Sequence, residues 1–274
     1  MEELKVGLIQ MNVTEDKEKS LDRAEEMIGQ AVDKGTELIV LPEMFNCPYD
    51  VTNFAQYAER EGGTSWQRLA NIAREKKIYL VGGSIPEVDE EGNVYNTSYI
   101  FDDKGNQIGK HRKMHLFDID VEGGQTFKES DSLTPGDNVT VFDTPYGKMG
   151  VVICYDFRFP ELARLMVEEG AKIIIVPGAF NMTTGPAHWE ILFRTRAVDN
   201  QVYTIGTAPA RDVESNYVSY ANSIIVDPWG EIIGRLDGEE GILINNLSLE
   251  RVEKVREELP LLKHIRKDIY TLTK

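Results

Sequence analysis

The sequence predicts an α/β protein that folds as a single-domain, four-layer αββα sandwich. Two parts of the chain echo each other: a helix, the strand of ELIVLPEMF (37–45), a helix and a strand, and later a helix, the strand of KIIIVPGAF (172–180), a helix and a strand. Such short, wholly apolar strands are typical of sheets covered on both faces. Because each half has helices for only one face of its sheet, we expect the two bare faces to pack together.

The first half of the chain contains two predicted helices. Apolar residues spaced by three and four positions predict one helix from about 18 to 33, ended by Gly35, and another around 66–73. The strands of this half are expected, in order, at 6–13, 38–41, 78–85 and 95–101, with a turn at 103–106 and a short strand running into Lys113.

The second half repeats this organisation. Its expected elements are a strand from 139, a turn at 145–147, a strand over 149–153 that ends at Cys154, a helix from Pro160 to Gly170, a strand at 173–176, a helix at 186–200, strands at 202–207 and 221–227, a turn at 228–230, two more strands and a helix near 248–258. Residues 1–258 therefore form the predicted domain. Residues 259–274 form a C-terminal tail that we expect to pack on the body or on a partner subunit.

The charge and cysteine content narrow the class of protein. The 274 residues include 46 Asp and Glu against 30 Lys and Arg, a formal net charge of −16, which disfavours nucleic acids and anionic membrane surfaces as partners. The apolar runs are far shorter than the ~18–20 residues of a membrane-spanning helix, and we expect no signal peptide. Two cysteines exclude a disulfide framework and predict a cytoplasmic protein.

Three residues stand where chemistry is expected. Cys154 follows a buried strand just before a turn and helix, where a thiolate is favoured, although an inert core cysteine is the alternative. Glu43 follows the strand LIVLP, as either a catalytic carboxylate or a salt-bridge partner. Lys113 lies in a cluster of polar residues at 110–115. The alternative to a catalytic role is that this cluster forms a solvated basic face.

The segments around these residues resemble one known family. LPEMF (41–45), HRKMHLFDID (111–120) and GVVICYDFRFPE (150–161) are similar to the Glu, Lys and Cys motifs of the nitrilase superfamily of carbon–nitrogen hydrolases, in the same order and spacing. The resemblance covers nearly the whole chain. It implies an αββα sandwich, in agreement with the periodicity.

The resemblance also implies a role for each residue. Cys154 would be the nucleophile, and Glu43 would take its proton, return it to the leaving nitrogen and later activate water. Lys113, with the backbone N–H of Tyr155, would stabilise the oxyanion. Glu129 matches a second family glutamate that holds the lysine or positions substrate, and Glu122 is its nearby rival. No metal or cofactor is expected.

The substrate is indicated by further segments. HLFDIDVEGG (115–124), LPEMFNCPY (41–49), PGAFNMTTGPAHWE (177–190) and RAVDNQVY (196–203) resemble the omega-amidase branch, which implies 2-oxoglutaramate and 2-oxosuccinamate as substrates. CYDFRFPE also resembles the branch that hydrolyses deaminated glutathione. An N-carbamoyl amidohydrolase would share the same three residues, and a catalytically silent metabolite-binding protein is the interpretation without catalysis. Tyr155 departs from the CWE pattern of true nitrilases.

A substrate carboxylate requires a local cation, because the negative net charge of the protein repels an anionic substrate. The candidates, each of which is alternatively a structural ion-pair partner, are Arg158, Arg194, Arg196 and Arg211. Phe180 and Thr184 are expected pocket walls, while His188 is either a pocket residue or a satisfied histidine at a helix N-terminus. Trp189 is expected in the core and Cys47 near the site mouth, without a role. The resemblance implies a homodimer.

Overall fold

Two large β-sheets carry the fold in the computed structural model, which describes residues 3–274. The strands are β1 (Glu3–Gln10), β2 (Leu38–Val40), β3 (Tyr79–Val81), β4 (Ile85–Val88), β5 (Val94–Phe101), β6 (Gln107–Arg112), β7 (Asp118–Asp120), β8 (Thr126–Lys128), β9 (Thr140–Thr144), β10 (Gly147–Val151), β11 (Ile173–Pro177), β12 (Tyr203–Thr207), β13 (Ile224–Val226), β14 (Ile232–Arg235) and β15 (Gly241–Ser248). The helices are α1 (Lys17–Val32), α2 (Phe54–Tyr57), α3 (Thr64–Lys76), α4 (Pro160–Glu168), α5 (Gly185–Asn200) and α6 (Leu249–Glu258).

Each of the two sheets contains three adjacent parallel strands. The first runs in the order β15-β1-β2-β3-β5-β4, with β6 on β5, and the second in the order β14-β13-β12-β11-β10-β9. Strands β1, β2 and β3 are parallel, as are β10, β11 and β12. The apolar strands of the two repeated segments, β2 and β11, are therefore central strands, and the chain leaves each of them at its carboxyl end.

Alternation of side chains along these strands builds the layers. On β11, Ile173 and Ile175 enter a core shared by both sheets, which also holds Leu38 and Val40 of β2. The intervening Ile174 packs with the buried residues of α4 and α5. Ile39 of β2 packs in the same way beneath α1 and α3. Three apolar cores thus separate four layers, and the predicted αββα sandwich is confirmed.

The strand expected over 78–85 is divided in two, which corrects the prediction. The break lies at Gly83, whose φ is +57°, and a Cβ there would lie 2.1 Å from the Pro42 carbonyl oxygen. Only glycine accepts both the left-handed conformation and this close approach. After the break, Ser84 Oγ accepts a 3.0 Å hydrogen bond from the Met44 N–H, so the interruption braces the loop that carries Glu43.

Other boundaries also differ from the predictions. The strand expected to end at Cys154 stops at Val151, and the strand expected from 221 begins at Ile224 because Ala221 and Asn222 have left-handed φ angles of 58° and 63°. Helix α2 was not predicted. Neither was the β7–β8 hairpin, which pairs Asp118–Asp120 with Thr126–Lys128.

The C-terminal tail lies against the body of the same chain. Leu262 packs against the core beneath α4 and α5. Lys267 forms a 3.0 Å ion pair with Glu168, and Lys274 pairs with Glu169. The division into a 1–258 domain and a 259–274 tail stays a prediction. Each helix between Glu3 and Lys274 is too short or too polar to cross a bilayer.

Candidate active site

Glu43 lies just beyond β2, and its carboxylate is fully buried. Oε1 is 3.0 Å from Lys113 Nζ, 2.8 Å from Asn96 Nδ2 and 3.0 Å from the Tyr49 hydroxyl. Oε2 accepts a 2.7 Å hydrogen bond from the backbone N–H of Ala179. Donors from several separate segments therefore hold this carboxylate in one orientation.

Lys113 follows β6 and is also fully buried. Its Nζ lies 2.8 Å from Glu129 Oε1, in addition to the contact with Glu43. Glu129, buried in a 3-10 turn over Glu129–Asp131, accepts a 2.7 Å hydrogen bond from Phe117 N–H on Oε2. Its rival Glu122 is exposed in the turn between β7 and β8. The structure thus places Glu129, and not Glu122, beside the lysine.

Cys154 begins a 3-10 turn over Cys154–Arg158 and is 3% exposed. Its φ of 47° is left-handed, which is uncommon for a residue other than glycine. The Cys154 thiol and the Glu43 carboxylate lie close enough for each to shift the pKa of the other. The acid, the ammonium and the sulfur predicted from three separate motifs therefore meet in one buried cluster.

Burial controls the charge of this cluster. It raises the pKa of the Cys154 thiol well above its usual value, and the nearby Glu43 carboxylate adds to this increase. It also raises the pKa of Glu43, against the opposing effect of Lys113. For Lys113, burial alone lowers the pKa, but the adjacent Glu129 and Glu43 carboxylates raise it above its usual value. The lysine thus stays charged, while the thiol keeps its proton until a base removes it.

Two polar residues of the site were not identified from the sequence. The Tyr49 hydroxyl lies 2.6 Å from Glu129 Oε1 as well as 3.0 Å from Glu43 Oε1, so it bridges the two carboxylates. Asn96 is a fully buried amide within the otherwise largely apolar strand β5. A buried amide needs a hydrogen-bond partner. The signal in the sequence was the position of Asn96 inside a predicted strand.

Asp156 connects the lysine segment to the cysteine turn, a role that sequence reasoning also missed. Its buried carboxylate accepts hydrogen bonds from the backbone N–H groups of Ile153, Met114 and His115, at 3.1, 3.1 and 2.8 Å. It also contacts the rings of His111 and His115, at 2.9 and 2.8 Å. Burial alone raises the pKa of this carboxyl, but the bonds to both histidines hold it far below its usual range.

A narrow cavity lies against the Cys154 side chain. Its other lining residues, four of them expected site residues, are Phe117, Tyr155, Arg158, Phe180, Thr184 and Tyr217. Cys47 lines a different cavity together with Glu43 and Tyr49. Within residues 3–274, the structure contains no cluster of three or more His, Cys, Asp or Glu side chains suited to a metal ion.

Arg158 is the cavity's cation, and it has no carboxylate partner among the described residues. Its guanidinium lies over the Phe180 ring, 4.6 Å from the centroid, and Nη1 is 3.1 Å from His188 Nδ1. The buried Nε meets no acceptor in the described chain. A half-buried guanidinium without a counter-ion is suited to a ligand carboxylate.

The other three arginine candidates do not line the cavity. Arg194 pairs with Glu190 and donates to the Gly230 carbonyl oxygen. Arg196 contacts Asp199 and donates to the Arg158 carbonyl oxygen, and Arg211 donates to the carbonyl oxygen of Tyr220. These bonds lie within the fold of this chain, although Nε of Arg196 and of Arg211 is also buried without an acceptor among the described residues. Trp189, expected in the core, is fully buried.

Comparisons with known proteins agree with this geometry. The model of the carbon-nitrogen hydrolase family matches residues 5–257. Omega-amidase NIT2 of Mus musculus is 48% identical over 272 residues, covering 99% of this chain and 98% of the relative. The crystal structure of Saccharomyces cerevisiae Nit3, a member of branch 10 of the nitrilase superfamily, is 46% identical with a TM-score of 0.90, and covers 96% of this chain and 97% of that one.

A third comparison concerns the cysteine. An amidase of Nesterenkonia sp., solved with acrylamide added to its active-site cysteine, is 26% identical with a TM-score of 0.77, over 94% of this chain and 98% of that one. The family model spans nearly the whole chain, and relatives of 46–48% identity do the same. This chain therefore belongs to the carbon–nitrogen hydrolase family of the nitrilase superfamily.

Proposed function

We propose that the protein is an amidase that hydrolyses the ω-amide of a small dicarboxylate, such as 2-oxoglutaramate or 2-oxosuccinamate, to ammonia and the free acid. The observation that carries this proposal is the unpaired Arg158 guanidinium in the same narrow cavity as the Cys154 thiol. One end of the substrate needs a cation and the other end needs a nucleophile. The similarity to proteins named omega-amidase supports the same substrate class.

Acylation uses the buried cluster directly. As substrate binds, Glu43 takes the thiol proton and Cys154 Sγ attacks the amide carbon. The negative oxygen that forms is stabilised by Lys113 Nζ and by the backbone N–H of Tyr155. Glu43 then gives its proton to the leaving nitrogen, so ammonia departs and a thioester remains on the cysteine.

Deacylation reverses these roles with water as the nucleophile. Glu43 takes a proton from water, the hydroxide attacks the thioester carbon, and Lys113 again stabilises the oxyanion. The carbon–sulfur bond breaks, the sulfur regains a proton from Glu43, and the dicarboxylate leaves. Glu129 keeps the lysine in place through its 2.8 Å contact. One water and one amide are consumed for each ammonia and acid released.

Substrate size and charge follow from the cavity lining. Phe180 and Thr184 are its walls, and the narrow space between them suits a short chain better than a bulky one. Arg158 donates hydrogen bonds to the distal carboxylate, while the aromatic rings of Phe117 and Tyr155 cover the carbon chain between the two ends.

Ammonia release from purified protein tests the function. We expect kcat/KM for 2-oxoglutaramate to exceed that for deaminated glutathione, a carbamoyl amino acid and a nitrile. The Arg158→Gln variant should raise KM for 2-oxoglutaramate by roughly tenfold or more, because a charge-assisted hydrogen bond is lost. A preference for deaminated glutathione, carbon dioxide released with ammonia, or no ammonia at all would contradict the proposal.

We also infer a homodimer that forms through the outer face of α5. This face exposes Ile191 and Val198 at 61% and 42%, beside Trp229 at 53%, although large apolar side chains are usually covered. An Ile191→Asp variant should shift the mass measured by light scattering from dimer to monomer.

The free, buried thiols of Cys47 and Cys154 suit a cytoplasmic location. Organelle-resolved imaging of the tagged protein tests that inference.

A further inference from the structure

The side chain that holds Arg158 in the substrate cavity carries no negative charge. Arg158 Nη1 lies 3.1 Å from Nδ1 of His188. A guanidinium only donates hydrogen bonds, so Nδ1 must be the unprotonated nitrogen of the ring. This contact restrains the guanidinium and leaves its charge unneutralised.

The position of His188 keeps the ring neutral. His188 lies in the first turn of α5, where its backbone N–H donates a 2.8 Å hydrogen bond to the Thr184 carbonyl oxygen. The positive end of the helix dipole disfavours a second positive charge there. His188 is an exposed residue, but partial desolvation of its ring and the adjacent guanidinium lower its pKa. The next residue, Trp189, fixes the turn through a 2.8 Å bond from Nε1 to the Asn222 carbonyl oxygen.

We propose that His188 is a positioning residue that makes the site selective for anionic amides, because it orients Arg158 through a neutral acceptor and so leaves the full positive charge for the substrate carboxylate. This inference rests on the proposed function. A carboxylate at position 188 would reach the same guanidinium and form the ion pair that the native cavity lacks. The substrate would then have to displace that carboxylate before it could bind.

The isosteric pair His188→Asn and His188→Asp tests this idea, since the two side chains differ in charge and hardly in shape. With 2-oxoglutaramate, we expect His188→Asn to raise KM by about threefold through looser geometry. We expect His188→Asp to raise KM by at least about thirtyfold. In both variants kcat should fall by less than about threefold, because the reacting atoms are untouched. Equal KM values for the two variants would overturn the proposal.

A double variant separates a direct ion pair from a long-range charge effect. In the Arg158→Gln background, changing His188 from Asn to Asp should alter KM by less than about threefold, because the partner of the new carboxylate is gone. The same large increase in both backgrounds would mean that the carboxylate acts through the general field, and would also overturn the proposal. Inactivation by iodoacetamide, a neutral probe of Cys154, should proceed at a similar rate in all variants if the site is intact.

The single variants distinguish this inference from the proposed function. If Arg158→Gln leaves KM for 2-oxoglutaramate unchanged, the proposed carboxylate site is wrong. If Arg158→Gln raises KM while His188→Asp and His188→Asn behave alike, the carboxylate site stands and only the role of His188 is wrong.

Discussion

The backbone N–H of Ala179 donates a 2.7 Å hydrogen bond to Oε2 of Glu43. These residues follow β2 and β11, the corresponding apolar strands of the two repeated segments. The first half of the chain thus supplies the carboxylate, and the second half supplies a donor that orients it. This part of the cluster forms only when the two sheets pack face to face, so the orientation of Glu43 and the central core depend on the same packing.

Replacing Cys154 by Ala should abolish ammonia release without unfolding the protein. The change removes the sulfur that forms the thioester, but leaves the surrounding buried side chains in place. Quenched reactions of the unaltered protein should show an acyl adduct on Cys154 by mass spectrometry, and the variant should show none. Cys47→Ala is the matched control and should retain activity, because among the described residues this thiol donates a hydrogen bond only to the Pro48 carbonyl oxygen, and burial raises its pKa to about 12. Turnover by Cys154→Ala would exclude the thioester route.

Replacing Lys113 by Met should lower kcat by about two to three orders of magnitude, as loss of an oxyanion donor does in other hydrolases. Methionine approximates the length of the side chain and removes its charge. Glu43 and Glu129 would then face each other without a counter-ion, and one of them is expected to take up a proton. Initial-rate kinetics with 2-oxoglutaramate measure the effect. A change confined to KM would show that the lysine binds substrate and does not stabilise the oxyanion.

The pH profile of kcat/KM should report Glu43. Burial raises the pKa of this carboxyl, so the acid limb of the profile should lie above pH 4.5, the ordinary pKa of a glutamate. As the pH falls through that raised pKa, Glu43 becomes protonated and no longer accepts the thiol proton, so activity falls. Glu129→Gln should move the limb to lower pH, because the Glu129 charge contributes to raising the pKa of Glu43. A limb that moves to higher pH would contradict this assignment.

Replacing Asp156 by Asn should destabilise the fold by about 3 kcal/mol at pH 7, because an amide satisfies fewer of the donors that converge on the buried carboxylate. The folded state holds the pKa of Asp156 below the usual 3.8. The stabilisation is therefore complete above that value and is lost as the pH falls below it. Urea unfolding followed by tryptophan fluorescence should show a gap between variant and parent that narrows in acid. An equal gap at all pH values would mean that the charge is unimportant.

The sequence by itself determined the order of elements and the three central chemical groups. Apolar spacing is a local property, so the helices near 18–33, 66–73 and 186–200 were predicted within a few residues. The motifs around Glu43, Lys113 and Cys154 resemble those of one family, and that resemblance predicted a role for each residue. The break at Gly83 was missed because its cause, the Pro42 carbonyl oxygen, lies 41 residues earlier in the chain.

Tertiary structure alone decided the partners of each side chain. The Tyr49 hydroxyl meets Glu129 across 80 residues, and His111 meets Asp156 across 45. Among the arginine candidates, Arg158 lines the cavity that contains Cys154, and the other three do not. Hydrogen bonds, burial and unpaired charge depend on distances between atoms in space, and a linear pattern of residue types does not contain those distances.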